Sequence, residues 1–364
     1  MQTNTEVANK NFFEIENRKI GTDYPVYFVA DIGANHNGSL TKAKDLIFMA
    51  AEAGADAIKF QHFSANTIVS DYAFKLLKDN HSHQAKWKKN VFEVYQEASL
   101  NLDWTNELKN ACVKSGVTFF SSPYSVDLAD FLDPYVPAYK IGSGDITWID
   151  FIEHIARKNK PYLLATGASN IDDVDRAVSA CLKINNKLCL MQCNTNYTAN
   201  DENLKFVNLN VLKMYAKRFP NLILGLSDHT SGHLSVLGAV SLGAKIIEKH
   251  FTDNNQDDGP DHLFAMNPKS WKEMVLAVKN LEFALGSEEK KIEDNEIESS
   301  IVQRRAIRAS RNLQAGEVLT DDDIVFLRPC PSYAIQPYEI KYIIGKTLRN
   351  AILFEQEIQW KDLN

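Results

Sequence analysis

Two lysines and two histidines stand where short apolar runs end, and their types suggest an anion beside a metal. Lys59 follows Ala-Ile and Lys140 follows Ala-Tyr, while His229 and His250 close the stretches Ser-Asp-His and Glu-Lys-His. A lysine projecting inward at such a point is partly desolvated and needs a negative charge nearby, which a bound phosphate or carboxylate would supply. The turns Gly142-Ser143-Gly144 and Thr166-Gly167, with Ser122, offer the hydroxyls and open backbone N–H groups that cradle phosphate oxygens. Two imidazoles on neighbouring strand ends, with Asp228, Glu248 or Asp261 in reach, could hold a divalent ion with positions left open for water and substrate. Asp31, Asp145 and Asp261 are candidates for hydrogen-bonding sugar hydroxyls or relaying protons. His36 and His233 read as structural.

A plainer reading competes with each of these. Strand ends turn polar because they meet water, Ser-Gly and Thr-Gly are ordinary turn pairs, and Asp261 in Gly-Pro-Asp-His could form an Asx-turn. That reading serves for single residues. It does not explain lysines on two ends and histidines on two others.

The elements that would carry these residues follow a parallel-sheet pattern. Strand candidates at 26–31, 57–61, 117–121, 138–141, 162–165, 188–192, 222–226 and 245–250 are each followed by a segment able to hold a helix. The first helix is expected over 40–53, with Ser39 as N-cap and Gly54 as stop, and the last over 268–285. Eight strand–helix units predict a closed (β/α)₈ barrel, at whose C-terminal strand ends an active site belongs. An open dinucleotide-binding sheet would want GxGxxG after its first strand, and Gly-Ala-Asn-His-Asn-Gly-Ser at 33–39 does not fit. Residues 62–90, with His81, His83 and Trp87, form a long connection expected to overhang the mouth.

The barrel is expected to fill 1–285, with 1–20 as an N-terminal extension. A charged stretch at 286–301 reads as a solvated linker, and 302–364 as a separate small module. Within that module, 313–324 and 352–363 match loosely at an offset of 39, as a weak internal repeat or by chance. A chain of 364 residues, 45% hydrophobic, can bury a large core, and a net charge of −7 argues against a general nucleic-acid binder. The five cysteines lack CxxC pairing and read as buried thiols, with Cys189 and Cys193 as remote metal candidates. There is no apolar leader and no run long enough to span a bilayer, so a cytoplasmic protein without membrane contact is expected.

Taken together, ADIGANHNGS, AGADAIKFQ, FFSSPYS, AYKIGSGD, LLATGAS, GLSDHTSG, IIEKHFTD, GPDH and RPCPSY resemble the bacterial sialic acid synthases and their relatives that make legionaminic and pseudaminic acids, over roughly residues 20–364. The resemblance implies a TIM barrel joined to a C-terminal antifreeze-like (SAF, β-clip) domain, in a homodimer that exchanges those domains. It implies condensation of phosphoenolpyruvate with an open-chain 2-acetamido hexose. A divalent metal, commonly Mn²⁺ with Mg²⁺ or Co²⁺ as alternatives, would sit on His229 and His250. Asp31, Lys59, Asp145, His229 and His250 become the catalytic candidates. Lys59, Ser122, Lys140, Ser143, Thr195 and Ser227 match positions that bind phosphoenolpyruvate. Asp31, Gln61, Asp145, Tyr197, Asp261 and, from the partner's C-terminal domain, Arg328 match positions around the sugar. Asp31 and Asp145 stand where many members carry glutamate, Ala165 where serine is frequent and Thr195 where asparagine is frequent, which bears on the choice of sugar. A synthase acting on phosphosugars, or a carbohydrate-binding antifreeze-like module, are the competing readings.

Overall fold

In Phe-Phe-Glu-Ile and Arg-Lys-Ile-Gly apolar and polar residues alternate around a Glu16-Asn17 turn, a pattern that suits two short strands with one buried face. They are β1 (Phe12–Ile15) and β2 (Arg18–Gly21), an antiparallel hairpin in the computed structural model, which describes residues 12–77, 84, 87 and 89–364. His81 and His83 lie outside the described residues. Phe13, Ile15 and Ile20 of the hairpin join the barrel core. Thr118 at the start of β5 (Thr118–Pro123) donates its hydroxyl to Glu16 at 2.9 Å, and Arg18 pairs with Asp56 just ahead of β4 (Ala57–His62), so the hairpin covers the barrel end opposite the mouth.

The barrel consists of β3 (Tyr27–Asp31), β4, β5, β6 (Tyr139–Ile141), β7 (Tyr162–Ala165), β8 (Leu188–Cys193), β9 (Ile223–Asp228) and β10 (Ala244–His250). These strands are apolar on both faces over most of their length, as strands covered by helices outside and filled inside must be. They are parallel, in sequence order, and β10 pairs with β3 to close the ring. Closure excludes the open sheet. The observed ends fall within two residues of the sequence expectations. The helix after β3 spans Leu40–Glu52, with Ser39 Oγ accepting from the Lys42 N–H at 3.3 Å, and the last helix spans Pro268–Leu285 after an Asn267 cap.

Alternation aims every second side chain at the barrel axis. Lys59 and Gln61 therefore share one side of β4, and Glu248 and His250 one side of β10. Register sets His250 beside Asp31, Asp31 beside Lys59, and Gln61 beside Ser122. The polar strand ends are thereby gathered into one ring.

Contacts divide the chain after Gly286. In Ser287–Asn364, a short helix (Ile297–Val302) lies within the charged stretch, and β11 (Ala306–Ala309) pairs antiparallel with β12 (Ile324–Leu327). Ile307, Leu313, Leu319, Ile335, Ile343, Leu348, Ile352 and Ile358 form its own core. The offset of 39 is a structural repeat. Asp323 caps Thr320 as Asp362 caps Gln359, the Gln314 N–H bonds Glu317 as the Leu353 N–H bonds Gln356, and Gly316 and Glu355 both take positive φ. Leu313 and Ile352 exchange backbone hydrogen bonds at 2.8 and 3.0 Å, which places a local two-fold between the halves.

Candidate active site at the barrel mouth

The C-terminal strand ends enclose a cavity of about 390 Å³. Asp31, Lys59, Gln61, Ser122, Lys140, Ser143, Asp145, Tyr197, Ser227, His229, His250 and Asp261 all line it, as does Ala165. Thr195 does not; its methyl group packs toward Gly167, too close for a side chain at that glycine. Arg328 follows β12 in the C-terminal unit. The 62–90 connection and the helix after it add Ile68, Gln84, Trp87, Val94 and Tyr95 to the wall, so it does overhang the mouth.

One side of the cavity is cationic and rich in hydroxyls. Lys59 Nζ lies 2.7 Å from Asp31 Oδ2 and 3.4 Å from Ser122 Oγ. Lys140 Nζ lies 2.6 Å from Glu248 Oε1 and 3.4 Å from Ser227 Oγ. Glu248 Oε1 also accepts from Ser227 Oγ at 3.1 Å and stands 3.8 Å from Lys59 Nζ. The nearby negative charge that the lysines need is therefore already present as protein carboxylates, and a bound anion would add to Asp31 and Glu248. Burial opposes ionisation of Asp31, but Lys59 and then His250 hold its carboxyl far below the ordinary range. Burial likewise works against Glu248, and Lys140 and Lys59 outweigh it. Ser143 Oγ accepts the Gly167 N–H at 2.9 Å, fixing the hydroxyl between two glycine-bearing turns.

Next to this group, across the Asp31 carboxylate, stand the histidines, whose ring centroids are 5.6 Å apart. His229 Nδ1 is 2.9 Å from the Asn194 carbonyl oxygen. A carbonyl can only accept, so Nδ1 carries the proton and a neutral ring keeps its Nε2 lone pair. Burial, then the neighbouring His250, push the His229 pKa down to about 3, so the ring is neutral. His250 Nδ1 is buried without a hydrogen-bond partner, 3.6 Å from Asp261 Oδ2, and its Nε2 is 3.4 Å from Asp31 Oδ2. Two neutral-capable imidazoles, one with an unpaired buried nitrogen, beside a carboxylate fit a divalent cation.

Of the three carboxylates expected near the histidines, only Asp261 belongs there. Glu248 pairs with Lys140, and Asp228 pairs with Lys249 on the other face of the strands. Cys189 and Cys193 are free buried thiols, and burial pushes both up, so neither offers a thiolate. Among the described residues, Asp253, Asp257 and His262 are close enough to share an ion. Lys42 Nζ sits 3.3 and 2.6 Å from the two aspartates, however, and the His262 nitrogens are taken by Thr252 and Asn37. That group is a loop brace.

Asp145 and Glu248 each keep one buried carboxylate oxygen without a partner, as His250 keeps Nδ1, so three unsatisfied polar atoms face one cavity. Burial raises Asp145 to about 6. Sequence reasoning missed Phe264, whose ring lies 5.0 Å from His250, 5.7 Å from His229 and 5.6 Å from Tyr197. It reaches the site because the Met266 N–H returns to the His250 carbonyl at 2.8 Å, a fold-back that no local motif announces.

Residues 46–290 match the NeuB family. The chain belongs to the NeuB family. Residues 304–364 match the SAF domain, so the C-terminal unit carries that domain. The N,N'-diacetyllegionaminic acid synthase of Legionella pneumophila is 33% identical over 95% of this chain and 99% of its own. The pseudaminic acid synthase of Helicobacter pylori is 34% identical over 88% and 93%. The crystal structure of an N-acetylneuraminic acid synthetase from Leptospira borgpetersenii, in complex with citrate, superposes with a TM-score of 0.69 at 27% identity, covering 80% of this chain and 95% of that one. The chain is thus an enzyme of the sialic acid synthase family. The NeuB match contains the cavity residues from Lys59 to Asp261, and the SAF match contains Arg328.

Proposed function

We propose that this enzyme condenses phosphoenolpyruvate with an open-chain N-acetylated hexosamine, of the N-acetylmannosamine or 2,4-diacetamido type, and water. The products are a nine-carbon sialic-acid-like sugar and phosphate, so the enzyme is a C–C bond-forming transferase. Carbon 3 of phosphoenolpyruvate attacks the aldehyde carbon, whose oxygen takes a proton. Water adds at carbon 2 and the C–O bond to phosphate breaks.

The observation that carries this reading is the division of one cavity into two unlike halves. Lys59, Lys140, Ser122, Ser143 and Ser227 offer charge and hydroxyls to a phosphate and a carboxylate. Adjoining them, His229, His250 and Asp261 would hold the metal, Mn²⁺ by preference, which when bound supplies Lewis-acid polarisation of an aldehyde oxygen. Gln61, Tyr197 and Asp145 are left for the sugar hydroxyls and amide. Gln61 is itself oriented by donating to Asp31 Oδ2 at 2.9 Å. Arg328 is assigned to the sugar of the partner's barrel in a domain-exchanged homodimer, while Thr195, which does not line the cavity, at most supports the Gly167 turn beside Ser143. No described helix is long and apolar enough to cross a membrane, and five buried free thiols suit a reducing compartment, so we assign the reaction to the cytoplasm.

The test is phosphate release from phosphoenolpyruvate with Mn²⁺ and a panel of N-acetylhexosamines that includes 2,4-diacetamido sugars and 6-phosphates. Turnover with one unphosphorylated member is expected. Failure of every acceptor sinks the proposal, and turnover confined to 6-phosphates reassigns the acceptor.

A further inference from the structure

Behind the barrel wall, on the face away from the cavity, a second ion pair touches neither substrate half. Lys249 Nζ lies 2.6 Å from Asp228 Oδ2, with side-chain exposures of 0% and 2%. The two residues are register partners on β10 and β9, one position before His250 and His229 respectively. Lys249 Nζ also donates to the Thr230 carbonyl at 2.6 Å. It thus grips the residues on both sides of His229 while being the covalent neighbour of His250.

The pair is closed by further bonds. Asp228 Oδ1 accepts the Thr230 N–H at 3.1 Å, and Oδ2 accepts from Thr230 Oγ1 at 3.0 Å and from Ser235 Oγ at 2.5 Å. Ser235 lies in the first turn of the helix Leu234–Ser241, so the His229 turn is tied to a third rigid element. A buried ion pair adds little net stability compared with apolar residues of the same shape, and its best-attested use is to fix geometry. The geometry within its reach here is the separation and tilt of two imidazoles.

We propose that Asp228 and Lys249 are positioning residues that set the His229–His250 spacing for a divalent cation. The proposal rests on the assignment of the metal to those histidines. Partners hydrogen-bonded to a metal-bound histidine ring govern affinity by roughly 10–100-fold, and this pair, which acts through the backbone beside the rings, should fall at the lower end of that scale.

The experiment is calorimetric titration of the metal-free full chain with Mn²⁺ alone, and separately with phosphoenolpyruvate in chelator. Asp228→Asn/Lys249→Met removes both charges at nearly constant shape, and Ser235→Ala removes one bond from the carboxylate while keeping the pair. The double variant is expected to lose roughly 10-fold in Mn²⁺ affinity with phosphoenolpyruvate affinity unchanged. Ser235→Ala is expected to show a smaller loss of the same kind, and it decides the matter if the double variant does not fold. Unchanged Mn²⁺ affinity, or an equal loss for both ligands, overturns the proposal. Mn²⁺ binding that survives in His229→Ala/His250→Ala would instead overturn the metal assignment beneath it.

Discussion

Glu248 Oε1 lies 2.6 Å from the ammonium of Lys140, near the centre of the barrel mouth. The same oxygen accepts from Ser227 and faces Lys59, so one protein carboxylate occupies the junction of cations and hydroxyls that an anionic substrate would use. The pocket is preassembled at low net charge. An incoming phosphate or carboxylate must share the lysines with Glu248.

Glu248→Gln should therefore destabilise the ligand-free enzyme by about 3 kcal/mol, because two buried ammonium groups are left with Asp31 as their carboxylate partner. Phosphoenolpyruvate should raise the melting temperature of the variant more than that of the wild type, since the ligand then supplies the missing charge. Thermal unfolding with and without ligand checks this. A variant as stable as the wild type would show that Glu248 is not the counter-ion.

His229→Ala and His250→Ala should each abolish metal-dependent turnover while leaving the circular dichroism spectrum near that of the wild type. Both rings line the cavity at strand ends, so the barrel ladder is untouched, but they also pack on Phe264 and a modest loss of stability is expected. Full wild-type turnover in the presence of excess chelator would contradict the metal assignment.

How far these residues could be read from the sequence depended on whether alternation or long-range pairing placed them. The strand ends were legible because runs such as Leu188–Cys193 and Ile223–Asp228 have no polar residue until they stop. Alternation also contained a message left unread: with His229 and His250 facing inward, Asp228 and Lys249 must face outward and away from any metal. The Lys140–Glu248 pair spans 108 residues and the Phe264 contact depends on a loop folding back, so neither leaves a local trace. The Asp253–Asp257–His262 group shows the converse, since donor types alone would not reveal that Lys42 neutralises it.

Asp145 should leave a pH signature on stability. Burial raises its carboxyl from the ordinary 3.8 to about 6, so between those values the folded state binds more proton than the unfolded one. Stability attributable to this group then falls as pH rises from about 4 to about 6, by up to about 3 kcal/mol less whatever solvent screens at this half-buried site. Asp145→Asn should flatten that part of the profile and be more stable than wild type at pH 7. Chemical denaturation of both proteins across this pH range measures the difference, and parallel profiles would mean the carboxyl is not desolvated.

Arg328→Ala should raise the KM for the amino sugar while leaving the KM for phosphoenolpyruvate near the wild-type value, because the lysine half of the cavity lies entirely within the barrel unit. The proposed exchange between protomers adds a sharper expectation. Arg328→Ala and His229→Ala are each expected to be nearly inactive at low sugar concentration, yet a mixed dimer would join an intact barrel from the first to an intact C-terminal domain from the second. Unfolding and refolding the two together should restore activity at up to about a quarter of the sites, the share expected for random two-fold pairing with one good site per mixed dimer. Refolding that regenerates each parent's activity but nothing more would place Arg328 in its own chain's site or in none.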